Sequence, residues 1–164
     1  MVSRYTRATF VVLFAFVACQ GSDAGSDAAD TPSPADAQPA TEMMSAAPPE
    51  GASVTIVSPA DGAAFDAGDV TVTLQVSGIQ IQPAGTLIEG TAHHHLFLDT
   101  DITPPHQAIP ASMDQIVHLG TGASEHTFTG LAPGQHRLIA VLADGLHFPF
   151  DPALTDTVEF TVGG

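Results

Sequence analysis

The chain has no tryptophan, no lysine, one tyrosine and one cysteine in 164 residues. Each shortage excludes something. A lone Cys19 cannot close an intrachain disulfide, so a core rather than covalent staples must hold any fold together. Without tryptophan or a second cysteine there is no Cys…Trp…Cys pattern, which rules out a true antibody-type domain. Three basic residues stand against 18 acidic ones, and beyond Arg4 and Arg7 only Arg137 remains. One cationic side chain cannot neutralise a run of phosphates or dock on anionic headgroups, which excludes nucleic acid and electrostatic binding to a membrane surface. The acidity favours solubility, cations and basic partners. Outside the N-terminal segment no window has helical period. Histidine is missing from both long flanks: all eight fall between His93 and His147.

Residues 1–19 read as a targeting segment, with Arg4 and Arg7 as a positive n-region and Phe10 to Val17 as an apolar h-region. The run is shorter than the ~20 apolar residues that a membrane-spanning helix needs. Phe16-Val17-Ala18-Cys19 resembles the bacterial lipobox, with Phe16 in place of the usual leucine. The expectation is a lipoprotein whose lipidated Cys19 becomes the N-terminus and anchors it in the membrane. Gln20, where an aspartate would signal retention, fits sorting to an outer membrane, facing the periplasm or the cell surface. Residues 20–51 are rich in Ala, Asp, Ser, Pro and Glu and too poor in large apolar side chains to offset their ordering entropy. They are expected to be a disordered acidic linker, in which Met43-Met44 is a chance apolar pair.

Residues 52–164 carry the period of strands. Val70, Val72, Leu74 and Val76 alternate with Thr71, Thr73 and Gln75, so the first set should face a core. Ser53–Ser58, the histidine stretch, Gln115–Leu119, Ser124–Thr129 and Asp156–Val162 add further strands. His136 to Leu142, apolar on both faces, is the natural central strand. Pro104, Pro105 and Pro110 make Thr100 to Pro110 an exposed loop. About seven strands in about 110 residues predict an all-β antiparallel sandwich of the immunoglobulin or fibronectin kind.

The stretch that organises the domain is Gly90-Thr91-Ala92-His93-His94-His95-Leu96-Phe97-Leu98-Asp99. On a strand, His93 and His95 project to one face about 6.5–7 Å apart along the backbone, close enough for both rings to reach one metal ion. His118, His136 and His147 are candidates to complete the site, with Asp99 and Asp144 as carboxylate ligands or as acceptors behind the rings. His94 alternates with Leu96 and Leu98, which turns it toward the core as a backbone-bonded histidine in a supporting role. His136 follows Leu131-Ala132-Pro133-Gly134 and shares a face with leucines, the position of a corner residue that caps a sandwich core. His106 and His126 read as exposed. With no thiolate available, nitrogen ligands point to copper or zinc, and the affinity order of divalent ions favours copper.

The histidine stretch, Ile109-Pro110-Ala111, His118-Leu119-Gly120, Leu131 to Leu138 and Asp144 to Pro149 together resemble the bacterial family known as domain of unknown function 4399, over roughly Thr55 to Val162. The resemblance implies a secreted small β-domain and no established activity. The family tends to carry further histidines where this chain has Ile116 and Phe150, which implies a reduced site here. A second reading is a structural or adhesive surface module that binds protein or glycan, with the histidines as a core hydrogen-bond network. Ser112 and Ser124 lack a nucleophile elbow, no carboxylate pair stands out, and Gly120-Thr121-Gly122 has no phosphate-loop lysine, so the chain is not expected to be an enzyme.

Overall fold

The computed structural model describes residues 45–111 and 113–164; the targeting segment, Cys19, Met43, Met44 and the linker up to 44 lie outside the described residues. Nine strands run β1 (Ser53–Ser58), β2 (Ala63–Phe65), β3 (Val70–Ser77), β4 (Gln80–Ile81), β5 (Thr91–Leu98), β6 (Ile116–Leu119), β7 (Glu125–Phe128), β8 (Gly134–Ala143) and β9 (Thr155–Val162). There is no helix among the described residues.

Two sheets form a curled all-β sandwich. One has the order β1-β3-β7, and the other β2-β9-β8-β5-β4, with β6 also paired to β5. The ladders β1/β3, β3/β7, β5/β6, β5/β8 and β8/β9 are antiparallel. Two short pairings depart from the expected all-antiparallel pattern: β2 runs parallel to β9, and β4 runs parallel to β5. Neither short strand has an alternating apolar pattern to show in sequence, since each is a brief edge contact made by a segment leaving a turn. β8 is central, between β9 and β5, as its two apolar faces require.

Val70, Val72 and Leu74 are buried between the sheets with Val54 and Ile56 from β1 and Leu96, Leu98, Leu138, Ala140, Leu142, Val158 and Phe160 from the opposite sheet. Burying each of the Val, Ile, Leu and Phe side chains contributes about 1.5–3 kcal/mol. Between the sheets, the Asp156 carboxylate accepts a bond from the Ile56 amide at 2.7 Å.

The outer face of the larger sheet is covered as well. Phe97, Ile116, Ile139, Val141 and Ala143 form a second apolar cluster there, joined by Ile109 from the segment between β5 and β6. That segment is therefore not simply the exposed loop its prolines suggest. Ile109 is 3% exposed, and its amide donates to the His147 carbonyl at 2.8 Å, tying two covering loops together. The prolines exclude a strand but leave the chain free to lay an isoleucine over the sheet. Every residue of β5 is buried as a result.

Candidate metal centre

β5 has two buried faces, and its alternation divides the three consecutive histidines between them. His94 lies on the inter-sheet face with Leu96 and Leu98; His93 and His95 lie on the outer face with Phe97. The register with β8 puts Ala143 beside His93 and Val141 beside His95, which gives the two imidazoles an apolar surround. On the other side of β5, His118 of β6 is the partner of His95. Gly120 gives the His118 ring its space: the imidazole lies where any side chain at position 120 would stand.

The fourth histidine comes from the turn after β8. The His147 amide donates to the Asp144 carbonyl at 3.0 Å, and Asp144 Oδ1 accepts from the amides of Leu146 at 2.9 Å and Phe148 at 3.0 Å. This closes a tight turn in which His147 takes the left-handed backbone conformation, φ 73°. That conformation is costly for a residue with a side chain, and the turn and its buried aspartate hold it in place.

The ligand atoms of His93, His95, His118 and His147 all lie within 4.8 Å of one another. The six pairwise ring-centroid separations run from 4.7 to 5.6 Å. His93 and His95 meet Nε2 to Nε2 at 2.9 Å, and His118 and His147 do so at 3.2 Å. In each contact one ring carries the proton and the other offers a lone pair. Four nitrogens at zinc-binding distances of ~2.0–2.1 Å stand about 3.3 Å apart in a tetrahedron, so the two observed contacts are near the spacing a bound ion requires.

Burial and the neighbouring rings disfavour the protonated form of His93, His95 and His118. Burial pushes His93 down to about 4, and the neighbouring His147, His118 and His94 rings add to the effect. Burial likewise pushes His95 down to about 2, reinforced by His93, His118, His147 and His94. His118 is also lowered, by burial and by His147. Neutral imidazole is the metal-binding form. Nδ1 of both His93 and His95 is buried without a partner among the described residues. An unsatisfied buried polar atom costs about 1–3 kcal/mol, so this cluster is poorly arranged as a stabilising network.

The structure does not bring His136 into this group. Its Nε2 donates to the Ala132 carbonyl at 2.9 Å, its Nδ1 lies 2.7 Å from Asp99 Oδ2, and the ring stacks on Phe160. With both nitrogens engaged it has no lone pair to give. Burial lowers its pKa, but the Ala132 carbonyl and the Asp99 hydrogen bond and charge outweigh that, and the balance is raised. Asp99 also accepts from the Arg137 amide at 2.8 Å, so it stands behind His136 and not behind the cluster. Asp144 supports the site through the His147 turn. His94 donates Nδ1–H to the Ala123 carbonyl at 3.0 Å on the opposite side of the strand. His106 and His126 lie outside the group of four. Ile116 packs in the apolar cluster with Phe97.

Gly120 is the positioning residue that sequence reasoning missed; its signal was the His-x-Gly spacing at the end of β6. These side chains sit in a chain that belongs to the family described as Domain of unknown function (DUF4399), which matches residues 72–163. No curated protein matches it. Among solved structures, the crystal structure of an engineered protein is similar at 17% identity and a TM-score of 0.43, over 71% of this chain and 21% of that one. The chain thus spans about a fifth of the length of that relative.

Proposed function

We propose that the domain binds one transition-metal ion, copper or zinc, through His93, His95, His118 and His147, and does so in the cell envelope while tethered by a lipid on Cys19. The observation that carries this reading is the convergence of four imidazoles, two of them fully buried, from three separate segments of the chain. A cluster of three or four imidazoles without thiolate or carboxylate suits zinc and copper, and copper has the higher intrinsic affinity. A bound ion would use the lone pairs that the rings now share in pairs, leaving the protons on the far nitrogens. His94, His136 and Asp99 belong to the framework in this reading, and Asp144 to the turn that presents His147.

The test is a calorimetric titration of the demetallated, untagged protein with Cu(II) and separately with Zn(II), repeated on His93→Ala/His95→Ala. One ion per chain with submicromolar affinity, lost in the double variant, is the expected result. An ion present at 100 times its dissociation constant should also stabilise the fold by about 2.7 kcal/mol, read as a rise in Tm. Heats equal to those of a histidine-free control, with no shift in Tm, would end the metal reading. The tether has its own test: Cys19→Ser should move the protein from the membrane fraction to the soluble one.

A further inference from the structure

The outer face of β5 continues past His93 to Thr91, and beside Thr91 lies a cavity of about 330 Å³. This is within the ~300–1,000 Å³ of small-molecule sites. Pro48, Leu87, Ile88 and Phe150 give it apolar walls, and two acidic residues, Asp144 and Glu89, also line it. Its outer wall is the segment before β1, which is fixed in place. The Ser45 amide donates to His106 Nδ1 at 3.0 Å, the His106 amide donates to Ser45 Oγ at 2.7 Å, and the Asp151 amide donates to the Ala46 carbonyl at 2.9 Å.

Asp144 is only 6% exposed. Its Oδ1 is occupied by the turn, whereas Oδ2 accepts no hydrogen bond from a described residue. A carboxylate in apolar surroundings is costly unless a cation pairs with it. The domain has none to spare: Arg137 is the one Lys or Arg among the described residues, and its guanidinium is 2.7 Å from Asp101. Leu87 and Ile88 are 58% and 48% exposed, apolar surface at the cavity that the fold itself does not cover.

We propose that this cavity binds a small organic cation, a protonated primary amine on a hydrocarbon body. The ammonium group pairs with Asp144 Oδ2, and the body packs on Leu87, Ile88 and Phe150. The site shares no ligand residue with the histidine cluster, although Asp144 also holds the turn that presents His147.

The experiment titrates the isotope-labelled full chain, followed by amide NMR, with butylamine, cyclohexylamine, benzylamine and phenethylamine. Each is paired with the alcohol of the same skeleton. Amines should shift Gly90, Thr91 and Asp144 and bind at least tenfold tighter than their alcohols. Asp144→Asn keeps the Oδ1 acceptor that the turn uses, and should erase that preference. Should that variant fail to fold, Ile88→Trp fills the cavity from an exposed position and should remove binding on its own. Alcohols binding as tightly as amines, no cavity shift with any amine, or unchanged amine affinity in both variants would overturn the proposal.

Discussion

Acidifying the metal-free protein should destabilise it through His93 and His95. Both rings have folded-state values below the ordinary histidine value, so between pH 6.5 and about 4 the unfolded chain takes up protons that the folded chain refuses. Stability is therefore fully present above pH 6.5 and declines as pH falls. Each group contributes about 1.4 kcal/mol per pH unit once the unfolded side is protonated and the folded side is not. From pH 7 to pH 4.5 the two together remove about 4–5 kcal/mol. That is comparable with the whole stability of a marginal domain, about 5–15 kcal/mol. His118 adds to the loss with the same sign.

The assay is urea denaturation in a chelator at half-unit steps from pH 7.5 to 4.5, on the natural chain and on His93→Gln/His95→Gln. The natural chain should lose stability steeply below pH 6, and the variant should lose about two protons' worth less slope. Curves that run parallel through this range would refute the reasoning, because they would mean that the buried rings are not held neutral by the fold.

Two further outcomes follow from contacts on either side of the sandwich. His136→Ala removes bonds to Ala132 and Asp99 and the stack on Phe160, and should cost about 2–4 kcal/mol in chemical denaturation without changing metal stoichiometry. Because the His136 value is raised, the stability it contributes is present below pH 6.5 and fades as pH rises through its folded-state value, opposite in sign to the cluster. Gly120→Ala forces the His118 ring out of its place, and should weaken Zn(II) binding at least tenfold in calorimetry while costing little stability, since the nearest atoms it meets belong to that one side chain and not to backbone.

Alternation made much of this legible. The period of two in Val70 to Val76 and in His93 to Phe97 fixes which side chains share a face, and a strand buried on both sides shows as an unbroken apolar run. Strand pairing is not written that way. That β6 pairs with β5 beside His95, and not elsewhere, depends on how the segment 99–115 folds over the outer face and returns. Nothing local in Ile116-Val117-His118-Leu119 marks its partner. His136 shows the same limit from the other direction. Its residue type and distance along the chain suited a ligand as well as a cap, and only the register of β8 against β9, which sets it opposite Phe160, decides for the cap. The parallel contact of β2 with β9 was silent because three residues in a turn carry no period.

The division of labour within β5 can be tested on neighbouring residues. His94 and His95 are adjacent, both at most 1% exposed, and each leaves one ring nitrogen without a partner among the described residues. If burial and polarity alone decided their roles, replacing either by leucine would have similar consequences. The strand faces predict otherwise. His94→Leu removes one unsatisfied nitrogen and strands the Ala123 carbonyl; these effects oppose each other, so stability should change by no more than about 1 kcal/mol and metal affinity should hold. His95→Leu removes a ring from the group of four, and should abolish tight metal binding while making the metal-free protein more resistant to acid. Denaturation at pH 7 and pH 5 together with a Zn(II) titration separates the two variants. Loss of metal binding in His94→Leu, or its retention in His95→Leu, would mean that the site is not on the outer face.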